Sequence, residues 1–451
     1  MCSLTLFRAQ IKIEVGGLRV SHDNNKRPRA IPPSTLNMLY FKQATASLGP
    51  GLLYAAVAVG ISHLVQATRA GADYGLAMGV IVVFACLMKY PGLRFGGEYA
   101  AATGKNLVVN YRERGLLIFS LFSVSQLFSM VFIIAAVALF SSGLLQVALD
   151  YQAGPVMSVF LMLTLVAILL ISGHYKALER ITKSIVISFT VLTVVCLLLV
   201  IDRLTWSWSM LAFPTFDAPT VLFVAALVGF MPSPTDASIL QSLWTVARAE
   251  NEGRRATKEE SRLDFNVGYI TSCVLAVFFL FLGAAILYES GVEMPSDNAG
   301  FARRLLEVYT SIIGEWSFYF IAVTALCVML STALTVTDGM TRMALAIGNE
   351  SLPGPHWHTE LFYNIGLIVL SLSALLVIWL LLQSFSSFMD MTSVIVFIVG
   401  PFLALLNHQA IYSDEIPKEK QPGQFIRVWS LVSIFSLFLL MAVYLYYRLF
   451  G

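Results

Sequence analysis

Two prolines one residue apart interrupt an apolar run that is otherwise long enough to cross a bilayer. The run extends from Val221 to Trp244, and the interruption reads Val228-Gly229-Phe230-Met231-Pro232-Ser233-Pro234-Thr235-Asp236. Each proline lacks an N–H and disfavours helical geometry at the residue before it. The helix is therefore expected to open near its middle, freeing carbonyls on one side and amides on the other. Such groups are costly in hydrocarbon unless protein, water or a ligand satisfies them. Asp236 adds a carboxylate at the same place. The bland interpretation is a proline kink with a solvated aspartate. The sharper one is half of a transport site, because broken helices at the membrane midplane are where secondary transporters bind substrate.

The rest of the chain is equally apolar. Hydrophobic residues make up 57% and charged residues 12%, about half the usual share of a soluble domain. A formal net charge of +2 gives no reason to expect nucleic-acid binding. The cysteines (Cys2, Cys86, Cys196, Cys273 and Cys327) are scattered, with no CxxC or Cys/His cluster. No nucleotide-binding loop of the Gly-x-x-x-x-Gly-Lys-Ser/Thr kind is present, which argues against an ATP-driven pump, and no cofactor is expected.

Residues 1–40 read as a flexible cytoplasmic tail with a basic, proline-bearing stretch from Lys26 to Pro33. Residues 41–451 read as a polytopic transport domain. Eleven apolar segments are expected at about 44–69, 75–95, 116–148, 154–173, 184–202, 217–246, 266–288, 314–345, 361–383, 388–411 and 426–448. Lys and Arg concentrate in the tail and after even-numbered segments. The odd-numbered connections and the C-terminus hold only Arg69, Arg203, Arg303, Arg304 and Arg448. This asymmetry places the N-terminus in the cytoplasm and, with an odd number of spans, the C-terminus outside, in a protein integral to the cell membrane. The connection from Arg248 to Asp264 carries both signs of charge and reads as a short cytoplasmic helical loop.

A weak internal repeat pairs segment one with segment six. Ala55-Ala56-Val57-Ala58-Val59-Gly60 and Val224-Ala225-Ala226-Leu227-Val228-Gly229 each run small residues into a glycine and then polar groups. Five spans separate them, so the second copy is inverted, as in transporters built from inverted repeats. The first repeat would cover about 44–203, the second about 217–411, and an extra helix about 426–448. Gly60-Ile61-Ser62-His63 is then the other half of the site. Glycine lets the backbone leave helical geometry, and Ser62 and His63 supply a hydroxyl and an imidazole.

Several other polar residues lie in or beside the spans. Ser331, Thr332, Thr335, Thr337 and Asp338 fall in segment eight, where hydroxyls commonly bond to carbonyls one turn back and Asp338 can pair with Arg342. Asp390 opens segment ten, where a carboxylate suits a helix N-terminus. Asn407 and His408 close that segment at the cytoplasmic interface, and Glu98 falls in the connection after segment two, near Arg94.

Leu48-Gly49-Pro50-Gly51-Leu52-Leu53, the helix ending in Ala70-Gly71-Ala72, and the Met231-Pro232 pair resemble the NRAMP divalent-metal transporters. The resemblance covers roughly Gly49 to the end. It implies an all-α membrane protein with a LeuT-like fold: two inverted five-helix repeats, with helices one and six unwound, plus an extra helix. It also implies where this chain departs from the family. The family's Asp-Pro-Gly-Asn falls on Gly60-Ile61-Ser62-His63, so the metal-binding aspartate is a glycine and the asparagine a histidine. Its Met-Pro-His reads Met231-Pro232-Ser233. The acidic pair linked to protons should fall near Phe132–Ser142, where there is no acid. In this fold segment eight faces segment one, which makes Ser331, Thr332 and Asp338 candidates for holding a coupling ion.

The expected substrate site is therefore Gly60, Ser62, His63, Met231, Ser233 and Asp236, with Met231, Asp236 and His63 as metal ligands. The leading expectation is an alternating-access secondary transporter of a cation, a divalent metal ion, coupled to protons or sodium, and not an enzyme. The Met231 thioether favours softer metals, and an imidazole binds metals only when neutral. The first alternative is transport of an amino acid or amine on the same fold. The second is a non-transporting membrane sensor. The bilayer and the cargo are the expected partners, and the sequence sets no oligomeric state.

Overall fold

The double-proline interruption does break its helix. In the computed structural model, which describes residues 49–173, 189–200, 211–215, 217–288, 295–352 and 359–450, α-helix gives way after Phe230 and resumes at Ala237. The described residues fall in one unit, Ser47–Gly451, and are helical with no strand among them. The tail expected over residues 1–40 lies outside the described residues, as does Arg203.

The helices, in order, begin with α1 (Pro50–Ala58), a π-helical turn (Ser62–Ala67), α2 (Thr68–Tyr74), α3 (Met78–Thr103) and α4 (Leu107–Glu113). They continue with α5 (Leu116–Leu149), α6 (Pro155–Ile171), α7 (Phe189–Val200), α8 (Ala218–Phe230) and α9 (Ala237–Glu252). The last six are α10 (Lys258–Ile286), α11 (Asn298–Ile313), α12 (Phe318–Ser351), α13 (Glu360–Leu381), α14 (Phe385–Ile411) and α15 (Gln424–Phe450).

Seven stretches among the described residues are long and apolar enough to cross a membrane, and α6, α7 and α8 are shorter apolar helices. Eleven full-length spans are therefore not seen one by one. The breaks divide segments one and six into shorter pieces, and the first crosses into the second through a tight turn at Gly75. The lipid-facing surface is legible on α13 and α15, where Leu361, Ile368, Leu372, Trp379, Phe435 and Tyr446 are exposed. Large apolar side chains on an outer face need a solvent of hydrocarbon.

Local chemistry fixes the helix ends. Pro50 occupies the first turn of α1, where its missing N–H costs nothing. Thr257 and Glu260 form a reciprocal capping box at the start of α10. The charged connection after segment six is accordingly the end of α9, a turn at Gly253, and the start of α10 rather than a separate helical loop. α5 is apolar around its whole circumference and lies buried against α6, α11, α12 and α13. Its Ser141 and Ser142 hydroxyls bond to the carbonyls of Val137 and Leu139 on the same helix.

α10 packs along both halves of the first broken helix. A methyl group at Gly71 of α2 would sit 2.0 Å from the Leu280 carbonyl, and one at Gly268 of α10 would sit 2.2 Å from that of Gly51. Glycine there permits backbone-to-backbone approach, the small-residue packing typical of membrane helices.

Candidate functional site

The first break is a distortion rather than an open strand. α1 ends at Ala58, the chain turns at Val59-Gly60, and a π-turn carries Ser62 to Ala67 into α2. From sequence, an unwound stretch at Gly60 is expected. Instead the Gly60 carbonyl accepts from the amides of His63, at 3.2 Å, and Leu64, at 3.0 Å. Wide turns of this kind often mark functional sites.

Gly60 lies against α12, where a methyl group would meet the Thr332 side chain at 2.6 Å. The Thr332 hydroxyl reaches the Ala56 carbonyl of α1 at 2.9 Å and its own Val328 carbonyl at 3.2 Å. Thr335 bonds back to Ser331 at 2.9 Å. Asp338 takes hydrogen bonds from Arg342, at 2.8 Å, and Tyr363, at 2.6 Å, away from the break.

Both nitrogens of His63 are engaged. Nε2 lies 2.7 Å from the Ser272 carbonyl of α10, so that nitrogen must carry the proton. Nδ1 lies 2.8 Å from the Ser62 hydroxyl, which also reaches the Ala58 carbonyl. The ring packs edge-on against Phe279. His63 thus fastens the π-turn to α10.

At the second break, Met231 and Ser233 are wholly buried, and Asp236 is nearly so. The Ser233 hydroxyl meets the Tyr54 hydroxyl of α1 at 2.7 Å, which joins the two broken helices directly. Asp236 stands at the N-cap of α9 without a side-chain capping bond to the helix.

Lys89 was not among the residues singled out from sequence. It is 4% exposed, and its ammonium donates to the carbonyls of Gly229, at 2.6 Å, and Ser233, at 3.0 Å. Those carbonyls lie on the two sides of the Met231-Pro232 step. Asp236 and His63 therefore do not share a partner: Asp236 stands on the second break, and His63 is turned to α10. Among the described residues no group of three or more His, Cys, Asp and Glu side chains is arranged to hold a metal ion.

Polar ties lie at both ends of the site. At the α2 end, Arg69 grips Asp390 of α14 with bonds of 2.7 and 3.3 Å, and Gln66 donates to Ser393 at 2.9 Å. Asp390 does not cap its helix. α14 begins a turn and a half earlier, where Ser384 accepts from the Ser387 amide. At the α1 end, the Asp264 carboxylate accepts from the amides of Gly49, at 2.9 Å, and Gly51, at 2.8 Å. Glu98 lies within α3 rather than in a connection, and its buried carboxylate takes a 2.6 Å bond from Arg94. Asn407 is also interior: it donates to the Gly92 carbonyl at 2.9 Å and Ser238 at 2.7 Å, and it accepts from Tyr111.

Residues 51–448 match the natural resistance-associated macrophage protein-like family. An uncharacterized protein of Pasteurella multocida (strain Pm70) is 31% identical over 383 residues, covering 82% of this chain and 86% of that protein. Among solved structures, a mutant of the Eremococcus coleocola manganese transporter superposes with a TM-score of 0.66 at 15% identity, covering 93% of this chain and 90% of that one. MhsT in complex with L-phenylalanine superposes with a TM-score of 0.63 at 14% identity, covering 88% of this chain and 97% of that one. The fold is the LeuT-like arrangement expected from the resemblance.

Proposed function

The chain belongs to the natural resistance-associated macrophage protein-like family, and from that premise we propose that it is a secondary-active, alternating-access transporter whose cargo is a divalent metal cation. The observation that carries this reading is the meeting of two broken helices in the buried interior, joined by the 2.7 Å contact of Tyr54 with Ser233. Broken helices supply carbonyl oxygens and helix ends to a cargo without covalent chemistry, so the work of the protein is binding and reorientation. The manganese transporter among the structural neighbours supports a metal as the cargo class.

In this reading Met231, Ser233 and Asp236 contribute a thioether, a hydroxyl and a carboxylate beside the carbonyls of the break. Gly60 and Ser62 line the facing break, and His63 holds that break in place. Thr332, whose hydroxyl reaches the Ala56 carbonyl of α1, and its neighbour Ser331 are proposed to assist a coupling ion, whether proton or sodium, while Asp338 serves its ion pair with Arg342. The N-terminus is assigned to the cytoplasm and the C-terminus to the outside. Residues 1–40 form the tail, and the repeats cover about 44–203 and 217–411.

A second reading has its own observation. The second break holds both an amine, Lys89, on the Gly229 and Ser233 carbonyls, and a buried carboxylate, Asp236, and the two types of group suit an amino-acid zwitterion as well as a metal. MhsT, of the same fold, was captured with L-phenylalanine. Uptake into proteoliposomes separates the two. A divalent panel read by a trapped indicator should show saturable entry of manganese or cobalt. Asp236→Asn should lower it at least about tenfold while leaving the protein in the membrane, since a charged partner is worth about 1.5–3 kcal/mol. Normal metal uptake by that variant removes Asp236 from the site. Metal-silent wild-type protein that takes up a labelled amino acid establishes the second reading.

A further inference from the structure

A broken helix leaves carbonyls that a cargo can use, but those carbonyls also need partners when the cargo has gone. Lys89 meets that need from outside the broken helix. It stands on α3, two residues before Pro91, and its ammonium bonds the Gly229 carbonyl at 2.6 Å and the Ser233 carbonyl at 3.0 Å. The two oxygens belong to opposite sides of the break, so one charged group spans it.

A neutral donor would satisfy two carbonyls at far smaller desolvation cost than a buried ammonium. The capacity of Lys89 to carry a positive charge is therefore the informative feature. The titratable groups around it are Asp236 from the break, Cys86 on its own helix, Tyr54 of α1, which bonds Ser233, and Tyr269 and Cys273 of α10, where Tyr269 bonds the Cys86 carbonyl. To the carbonyls an ammonium on a tether presents what a bound cation presents: a positive charge at hydrogen-bond or ligand distance.

We propose that Lys89 is a tethered substitute for the cargo, which occupies the break between transport cycles and lets the carrier close and return without a passenger. The proposal rests on the cation reading above. A carrier lacking such a substitute would have to bury bare carbonyls to reorient unloaded. It would be confined to exchanging one cargo ion for another. Lys89 instead withdraws as a cation arrives and re-engages as it leaves, so net transport becomes possible.

The test compares two modes in proteoliposomes with manganese as the probe: net uptake into metal-free vesicles, and counterflow of labelled ion into vesicles preloaded with unlabelled ion. Wild-type protein should run both at similar rates. Lys89→Met keeps the length of the side chain and removes the charge. Its net uptake should fall about tenfold or more relative to its own counterflow, since each bare buried carbonyl is costly to close over. A parallel fall of both modes marks Lys89 as a ligand or a structural residue and overturns the proposal, as does an unchanged ratio. If the variant does not fold, the wild-type protein still decides: counterflow outrunning net uptake by about tenfold or more means that unloaded return is not assisted. Wild-type protein inactive in both modes overturns the cation reading and this proposal with it, whereas active counterflow with the wrong ratio removes Lys89 alone.

Discussion

His63 shows how a residue in the right place can hold a different role from the one its chemistry suggests. An imidazole in the first break invites a metal-ligand reading. Yet Nε2 is committed to the Ser272 carbonyl and Nδ1 to the Ser62 hydroxyl, so neither nitrogen is turned to the second break. We expect His63→Ala to lower thermal stability by about 1–3 kcal/mol, the cost of a lost buried hydrogen bond and the space left behind. His63→Gln, whose amide can donate toward Ser272, should recover both stability and uptake. Thermal unfolding in detergent and metal uptake, measured on the pair, check this. A glutamine variant that is stable but inactive would make the imidazole itself a ligand. Sequence located this residue but not its partner, because the Ser272 carbonyl lies on α10, more than two hundred residues away. Lys89 was missed for a related reason. A lysine near the end of an apolar segment reads as one that snorkels to the interface, and only the packing of α3 against the break turns it inward. Asp236 was legible because it stands on the interruption itself.

At the level of elements, the prolines at 232 and 234 were sufficient to locate the second break, because missing N–H groups act locally. The first break was expected at Gly60 and is a turn followed by π-helix. Glycine permits a departure from helix without specifying its form. Asp390 and Glu98 were misplaced because their helices run past the ends of the apolar segments: α14 begins at Phe385, and α3 continues to Thr103. The amphipathic α11, with Phe301, Leu305, Leu306 and Tyr309 on its buried face, has a readable period but falls between the apolar segments at about 266–288 and 314–345. The contact between α2 and α10 gives the element-scale prediction. A side chain at Gly71 would have to displace the Leu280 carbonyl, 2.0 Å from the position of its first carbon. Gly71→Val should separate α2 from α10 and cost several kcal/mol, the range of severe overpacking. Loss of the monodisperse peak in size-exclusion chromatography would report it. A variant that behaves as wild type would mean that α2 moves freely against α10.

On the scale of the whole molecule, the two sets of ties sit at opposite ends of one broken helix. Arg69 of α2 is bonded to Asp390 of α14, and the start of α1 is bonded to Asp264 of α10. The site between them includes Ser62, which is 2% exposed. Alternating access requires that either tie can open, but only one at a time. Each tie should bias the population between two forms, and about 1.4 kcal/mol moves such a population tenfold. We therefore expect Asp390→Ala and Asp264→Ala to act in opposite directions on one reporter. With the native cysteines replaced and a cysteine introduced by Ser62→Cys, a membrane-impermeant maleimide applied from each face would read the accessible side. Asp390→Ala should raise labelling from the face at the α2 end, and Asp264→Ala from the other. In the proposed orientation these faces are outside and cytoplasmic, respectively. Labelling that rises from the same face in both variants would mean that the two ties do not oppose each other. The broken helix would then be a fixed conduit or a static scaffold, and alternating access would have to be abandoned whatever the cargo.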